Sequence, residues 1–250
     1  MSSTFILFLL PLAWSAHGKY VYVHQSMDWH HAQFFCMSHY LDLAPISSER
    51  DMTLIQQLVD NYSQVWFGLR RNVTEPDPEL MWVWSSGGTV RRFFWEMGQP
   101  DMESFGLLIN FKWHDAPMTA IADGFVCYDA KVVKQKKTWE EALEYCRSNH
   151  TDLVSLSSEG EMLLIPRAFV KAQIDEAHVW FGLRFMAGDW RWMDGQLVEF
   201  EAWGENGKPW CPAVTSGCGA LGWPGESFRG RDILGWSARD CDEKLYFVCY

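Results

Sequence analysis

The 250-residue sequence lacks a surplus of positive charge and, after its first residues, any long apolar run. It contains 21 Lys and Arg residues against 32 Asp and Glu residues, which gives a formal net charge of −11. Nucleic acids and anionic membrane surfaces are therefore poor partners for this chain. No stretch after residue 18 offers the roughly 20 apolar residues of a membrane-spanning helix, so we expect no insertion into a membrane.

Signatures of catalysis and of zinc binding are also missing. The chain has no His-Glu-x-x-His, Gly-x-Ser-x-Gly or Walker sequence, and no Cys-x-x-Cys pair with the spacing of a zinc site. Residues 217–222 match the letters of a dinucleotide-binding motif, but they contain a cysteine and precede Trp-Pro rather than a helix. His30 and His31 lie on a predicted helix and are interpreted as solvated. We predict that the protein is not an enzyme.

Residues 1–18 have the features of a secretory signal peptide. An apolar run over residues 5–14 is too short to span a bilayer, and the small residues Ser15, Ala16 and Gly18 follow it. No Lys or Arg precedes the run, although a typical signal peptide has one. We predict a cleaved signal and a secreted, extracellular protein. Three Asn-x-Ser/Thr sequons favour the same compartment and predict glycosylation at Asn61, Asn72 and Asn149.

The rest of the chain contains the same series of elements twice. The pattern Trp-x-x-Ala-x-x-x-Cys begins at Trp29 and again at Trp139. The sequence Val-Trp-Phe-Gly-Leu-Arg also occurs twice, and so does Phe-Val-Cys-Tyr. A solenoid repeat is far shorter than this period, whereas each copy is long enough to bury its own core. We therefore predict two tandem domains, at residues 19–129 and 130–250.

Apolar spacing within each copy predicts two helices followed by several strands, which is an α+β order. The first helix begins at Trp29 in one copy and at Trp139 in the other. The second helix is capped by Ser48 or Ser158 and is predicted to run to about Asn61 or Gln173. Short aromatic strands follow, and each copy closes with an aromatic strand that contains a cysteine.

The seven cysteines indicate a disulfide-stabilised protein. One cysteine lies near each end of each copy. A disulfide between the two ends closes a loop of about 100 residues and stabilises the fold by about 4–5 kcal/mol in the loop-closure model. Two further cysteines in the second copy form a third pair. Cys211 is left over, and it predicts an intermolecular disulfide and an oligomer, a free thiol, or a buried inert thiol. The expected pairs are Cys36–Cys127, Cys146–Cys249 and Cys218–Cys241.

The two copies resemble the C-type lectin-like domain. The resemblance covers residues 19–250 and depends on the repeated patterns above, on Gln-Pro-Asp at residues 99–101, and on Trp-His-Asp at residues 113–115. In each copy it implies two helices packed on two small antiparallel sheets, a long irregular loop, and the disulfides given above. In the first copy, Phe105 and Met118 take the positions of a family disulfide. We expect these side chains to touch and fill the gap.

The resemblance also implies a calcium and sugar site in the long loop of the first copy. The family uses a Glu/Gln-Pro-Asn/Asp triplet whose proline is typically cis, a later Glu, and a Trp-Asn-Asp strand. Calcium takes six to eight oxygen ligands, and His114 replaces the family's Asn with a poor ligand. The Gln-Pro-Asp triplet favours galactose-type sugars, and a vestigial acidic loop is the alternative. The predicted calcium-binding and ligand-binding residues are Gln99, Asp101, Glu103 and Asp115.

The second copy lacks the family's calcium ligands. Lys208 and Trp210 replace two of them, and Ser237 and Ala238 replace the oxygen donors of the Trp-Asn-Asp strand. Two hypotheses follow. The first is a secreted tandem lectin that binds glycans or glycoproteins through the first domain with calcium. The alternative is a calcium-independent protein-binding module, which better explains the second domain.

Overall fold

The fold is known from a computed structural model that describes residues 18–77, 80–174, 176–204, 206–222 and 235–250. Apart from Gly18, the predicted signal peptide lies outside the described residues. None of the described helices is long and apolar enough to cross a membrane. Five α-helices lie in the described part: α1 Trp29–His39, α2 Glu49–Gln56, α3 Trp139–Asn149, α4 Glu159–Met162 and α5 Ile165–Ala172.

The strands of the first half form one sheet. The sheet has the order β1-β7-β3-β5-β6, with β2 paired to β7 and β4 paired to β3. The longest strand, β3, joins the two small sheets that the family resemblance implies, because it pairs with β5, β7 and β4. These strands are β1 Tyr20–Val23, β2 Asp42–Leu43, β3 Val65–Arg71, β4 Trp82–Trp84, β5 Phe105–Ile109, β6 Lys112–Ala116 and β7 Gly124–Tyr128.

The second half repeats this arrangement. Its sheet has the order β12-β11-β9-β13-β8, with β10 paired to β9. The lysine-rich β8 is an edge strand of this sheet, and lysines on an edge protect it from pairing with other chains. The strands are β8 Lys131–Lys137, β9 His178–Met186, β10 Asp189–Trp192, β11 Cys218–Gly222, β12 Gly235–Arg239 and β13 Leu245–Cys249.

The predicted helix caps are present, but the second helices are shorter than predicted. The Ser48 side chain accepts the Asp51 N–H, and the Ser158 side chain accepts the Glu161 N–H. In the first half, α2 ends at Gln56 and tight turns replace its last predicted turn. In the second half the predicted helix is split into α4 and α5. Pro166 in the first turn of α5 explains the new start, because proline lacks the N–H that a continuous helix needs.

Each half has its own buried core, and a further core is shared between them. Three groups of buried apolar side chains lie in the described part of the chain. One contains only first-half residues, such as Trp29 and Trp66, and another contains only second-half residues, such as Trp139 and Trp180. The third contains residues of both halves. Its largest members include Phe67, Trp84, Trp113, Phe169, Phe181 and Trp236.

A buried charge network also joins the halves. The Lys19 ammonium lies 2.7 Å from the Asp51 carboxylate and 2.5 Å from the Glu161 carboxylate, and all three side chains are buried. Asp51 and Glu161 hold matching places in the first turns of α2 and α4. Burial lowers the pKa of Lys19, but the two carboxylates outweigh this effect and hold the pKa above its usual value. One lysine therefore neutralises two buried carboxylates, one from each half.

The three predicted disulfides are present, and one predicted packing contact is wrong. The bonds join Cys36 to Cys127, Cys146 to Cys249, and Cys218 to Cys241. In the first half, Met118 is 59% exposed and lies outside the buried group that contains Phe105. The Phe105 ring stacks on Trp29 instead, with a centroid distance of 4.6 Å, and also contacts the ring of His30. Because α1 supplies these rings, Phe105 is covered without Met118.

Candidate functional site in the long loop of the first half

The predicted site residues of the first half lie on the irregular loop between β4 and β5 and on the neighbouring strand β6. Gln99 precedes a cis peptide bond to Pro100, as the family resemblance implies. Asp101 and Glu103 follow on the same loop, and Asp115 lies on β6, where Gly106 of β5 is its partner. The fold therefore brings the four predicted residues into one neighbourhood.

Hydrogen bonds between this loop and β6 use the oxygen atoms that were predicted to bind calcium. The Asp115 carboxylate accepts the backbone N–H of Asp101 at 2.9 Å and that of Glu103 at 2.6 Å. The Gln99 side-chain oxygen accepts the backbone N–H of Asp115 at 3.0 Å. Asp115 is only 8% exposed. The carboxylate thus accepts hydrogen bonds from two loop N–H groups, which would otherwise need water or another acceptor.

The remaining two carboxylates do not converge on Asp115. In the described part of the chain, the side chains of Asp101 and Glu103 have no hydrogen bond or ion pair, and they form no group with Asp115 whose oxygens lie within 4.8 Å of one another. His114 lies half-buried on β6 opposite Leu107. Oxygen donors suit calcium chemically. Their arrangement nevertheless fits a loop closed by the protein's own N–H groups better than a single ion held by all four residues.

A set of side chains outside the long loop does have ligand atoms close enough to hold a metal ion, but it is not a metal site. Among the described residues, Glu140, Cys218 and Cys241 form this set. The two cysteines are joined in a disulfide, so they have no thiolate to offer. Their neighbour Arg184 donates to the Glu140 carboxylate at 2.6 Å. The group is therefore explained by an ion pair beside a structural disulfide.

The corresponding loop of the second half is occupied by other interactions. Lys208 forms an ion pair with Glu201 at 2.5 Å, and its ammonium lies 5.7 Å from the centre of the Trp210 ring. Trp210 is 83% exposed. The Ser237 hydroxyl donates to the backbone oxygen of Ala220. The side chains that replace the family ligands therefore stabilise the loop or point outward.

Exposed apolar side chains surround the first-half site, and sequence reasoning missed them. Met97 is 94% exposed and Met102 is 60% exposed, on either side of the Gln-Pro-Asp triplet. Phe93, on the same loop, is 37% exposed. The available signal was a methionine on each side of the Gln-Pro-Asp triplet, within a stretch of otherwise polar residues and glycine. Flexible methionines at a surface are typical of adaptable protein contacts.

The other predicted surface residues are placed as follows. Cys211 is exposed and free, so the buried inert thiol is excluded. Asn61 and Asn149 are exposed, and Asn149 donates to the backbone oxygen of Tyr145. Asn72 is half-buried, and its side-chain oxygen accepts the hydroxyl of Thr74, the third residue of its sequon. Glycosylation at these three positions and an intermolecular bond through Cys211 stay predictions.

Comparison with a family model decides the family. The model of the Lectin C-type domain matches residues 25–129 and again residues 135–250. The chain belongs to the C-type lectin domain family. The first match contains α1, α2 and β2 to β7, the second contains α3 to α5 and β9 to β13, and the four residues of the candidate site lie within the first match.

Individual relatives of these lectin domains include snaclecs and a mannose receptor. The chain is 30% identical over 167 residues to snaclec crotocetin-1 of Crotalus durissus terrificus, a match that covers 61% of this chain and 96% of the snaclec. It is 25% identical over 219 residues to C-type mannose receptor 2 of Homo sapiens, which covers 71% of this chain but 14% of the receptor. Among solved structures, human lithostathine matches with 24% identity and a TM-score of 0.40, over 48% of this chain and 88% of lithostathine.

Asp115→Asn should destabilise the first lectin domain by about 1–2 kcal/mol. The amide can accept only one of the two loop N–H groups and places an NH₂ against the other, which leaves a buried donor without a partner. Urea unfolding followed by tryptophan fluorescence measures the change. Asp101→Asn is the matched control, because the Asp101 side chain is exposed, and its effect should stay within about 0.5 kcal/mol. Equal effects of the two substitutions would show that Asp115 does not hold the loop.

Proposed function

We propose that this chain is an extracellular lectin-family binding protein that recognises a protein partner through the long loop of its first domain, without calcium. One observation carries the proposal: the oxygens of Gln99 and Asp115 accept backbone N–H groups of the loop and of β6. A loop closed in this way keeps its conformation without an ion. The second domain, with Lys208 and Ala238 at ligand positions, offers no calcium site of the family type.

The surface around the site favours a protein over a sugar. Sugar sites combine a planar aromatic platform with converging polar groups, and residues 102–104, directly after the Gln-Pro-Asp triplet, include no aromatic side chain. The loop presents Met97 and Met102 instead, with Phe93 nearby. Apolar, flexible side chains contribute binding energy when a partner covers them, and they adapt to the partner's shape.

An extracellular location is supported by the cysteines. Three disulfides join six of the seven cysteines, and bonds of this kind persist in oxidising compartments and are rare in the cytosol. The predicted signal peptide at residues 1–18 and the three sequons favour the same location. The family's binding role, together with the absence of catalytic motifs from the sequence, supports a binding protein rather than an enzyme.

A second candidate is calcium-dependent glycan binding by the first domain. It is favoured by the carboxylates of Asp101 and Glu103, which lie beside Asp115 and are free of hydrogen bonds and ion pairs in the described part of the chain. For this candidate, both side chains would have to turn toward a common ion together with Asp115. The two candidates differ in their response to EDTA, which removes calcium.

Binding to a protein array and to a glycan array distinguishes the two candidate ligand classes. The secreted protein should bind members of an array of extracellular proteins equally well in calcium and in EDTA, and should not bind a glycan array in calcium. Replacing both Met97 and Met102 with Ser should weaken protein binding at least about tenfold, because central apolar contacts dominate interface energies. Met37→Ser is the matched control, since Met37 is an exposed methionine (44%) on α1. Glycan binding that disappears in EDTA would contradict the proposal and favour the second candidate.

A further inference from the structure

A cleft lies between the two domains, where the first part of the long loop of the first domain faces the second domain. Two adjoining cavities of about 260 and 270 Å³ form it, and both are lined by Ser47, Arg92, Ser157 and Glu199. None of the four predicted calcium-binding residues lines either cavity. Each domain contributes two of the four shared lining residues, so the cleft exists only when the domains are packed together.

The middle of the cleft is lined by serines that can only accept hydrogen bonds. Ser47 and Ser157 hold matching positions in the two domains. The Ser47 hydroxyl donates to the buried Asp51 carboxylate at 3.1 Å, and the Ser157 hydroxyl donates to the buried Glu161 carboxylate at 2.9 Å. A hydroxyl has one proton to donate. Because both protons are used inside the protein, the two oxygens can only accept from a molecule in the cleft. The Ser157 oxygen also accepts from the Lys19 ammonium at 3.5 Å, which leaves it one lone pair for a ligand.

The two walls of the cleft carry opposite charges. Arg91 and Glu199 hold matching sequence positions, each directly after a valine, so the first domain places a cation where the second places an anion. Arg92 pairs with Glu199 across the cleft at 3.2 Å. Arg91 has no hydrogen bond or ion pair within the described residues. Glu159 accepts the Thr89 N–H with one oxygen, which leaves the other oxygen available.

This pattern selects a ligand that carries both charges. A simple anion near Arg91 would also meet the carboxylates of Glu159 and Glu199, and a simple cation near Glu199 would meet two guanidinium groups. Like charges in a partly enclosed site are costly. A molecule with separated positive and negative groups matches both walls and the acceptor oxygens between them. The cavity volumes lie just below the range typical of drug-sized ligands, which indicates a small molecule.

We propose that the interdomain cleft binds a small zwitterion of the α-amino-acid class. Its ammonium group donates to the oxygens of Ser47, Ser157 and Glu199, and its carboxylate accepts from the Arg91 guanidinium. The half-buried ring of Phe200 lines one of the cavities, together with the buried Trp84, and provides an apolar surface for the rest of the ligand. The site needs both domains and needs no metal.

Titration of the full secreted chain tests this proposal. Ligand-observed NMR and calorimetry would compare the free L-amino acids with their amides and their N-acetyl derivatives, each of which lacks one of the two charges. At least one free amino acid should bind saturably, and its amide and N-acetyl forms should bind at least tenfold more weakly. Arg91→Gln and Glu199→Gln should each weaken binding of the free amino acid at least tenfold.

Two exposed charges elsewhere supply matched controls. Lys112→Gln at the start of β6 and Glu144→Gln on α3 remove one charge of each sign from exposed positions, and neither should change the affinity. Melting temperatures of all four variants would show that each is folded. The proposal is overturned if no amino acid binds saturably at millimolar concentration, if the blocked forms bind as well as the free ones, or if the controls weaken binding as much as Arg91→Gln. None of these outcomes depends on the long-loop surface.

Discussion

Lys19→Met is expected to lower the free energy of unfolding by about 3–5 kcal/mol, the loss typical of removing one partner from a buried ion pair. Lys19 is 2% exposed and is the cation that pairs with both Asp51 and Glu161. Methionine fills similar space but leaves two carboxylates facing each other in the interface between the domains. Their repulsion should separate the halves before either half unfolds by itself. Urea unfolding, followed by tryptophan fluorescence, measures the loss.

Two further variants separate the charge effect from packing. Lys134→Met, on the exposed edge strand β8, is the matched control, and its effect should stay within about 0.5 kcal/mol. Adding Asp51→Asn and Glu161→Gln to Lys19→Met removes the repulsion and should recover at least half of the lost stability. A loss below about 1 kcal/mol for Lys19→Met, or no recovery in the triple variant, would contradict the role assigned to this network.

Gly160→Val should cost about 3 kcal/mol, because it forces a side chain into the packed interface between the two domains. A Cβ atom on Gly160 would lie 2.5 Å from the ring of Trp84, a fully buried side chain of the other domain. A hydrogen bond from the Ser86 hydroxyl to the Gly160 backbone oxygen holds the two segments together at 2.9 Å. Neither segment can move away without breaking this contact.

The control for this prediction is Gly204→Ala. A Cβ at Gly204 meets its nearest atom at 3.6 Å, which is ordinary van der Waals contact, so the change should be within about 0.5 kcal/mol. Thermal unfolding of Gly160→Val should also lose the single transition expected of a shared core. Wild-type stability in this variant would show that the two domains are not packed as described.

The repeated sequence patterns were sufficient to predict the two domains, their α+β order and the disulfides. The Trp-x-x-Ala-x-x-x-Cys helices place Cys36 and Cys146 opposite the closing strands, and the structure pairs them with Cys127 and Cys249. Ser48 was recognisable as a helix cap because acidic residues follow it. These features depend on local chemistry and on spacing within one domain, which a sequence displays directly.

Contacts between the domains could not be predicted in the same way. Lys19 lies directly after the predicted signal peptide, and nothing near it in the sequence identifies Glu161 as its partner. From the sequence, Asp51 and Glu161 could be identified only as acidic residues in the first turns of two separate helices. The Met118 prediction failed for a similar reason: spacing identified the position, but the rings of α1 already cover Phe105.

The sequence identified the residues of the candidate site, but it did not predict the directions in which their side chains point. Gln99 and Asp115 were identified by the family pattern, and the structure places them together on the loop and on β6. Whether an oxygen faces an ion or a backbone N–H depends on the path of the loop. That path includes long-range hydrogen bonds from the N–H groups of Asp101 and Glu103 to Asp115, which local sequence patterns do not display.

The melting temperature of the protein in calcium and in EDTA tests the central claim most directly. An ion that binds only the folded state stabilises that state. Once the ion concentration exceeds the dissociation constant, the stabilisation grows with the logarithm of the concentration. We predict the same melting temperature in EDTA and in millimolar calcium, for the wild type and for Asp101→Ala alike. A saturable rise with calcium that Asp101→Ala abolishes would contradict the account and establish a calcium site in the first domain.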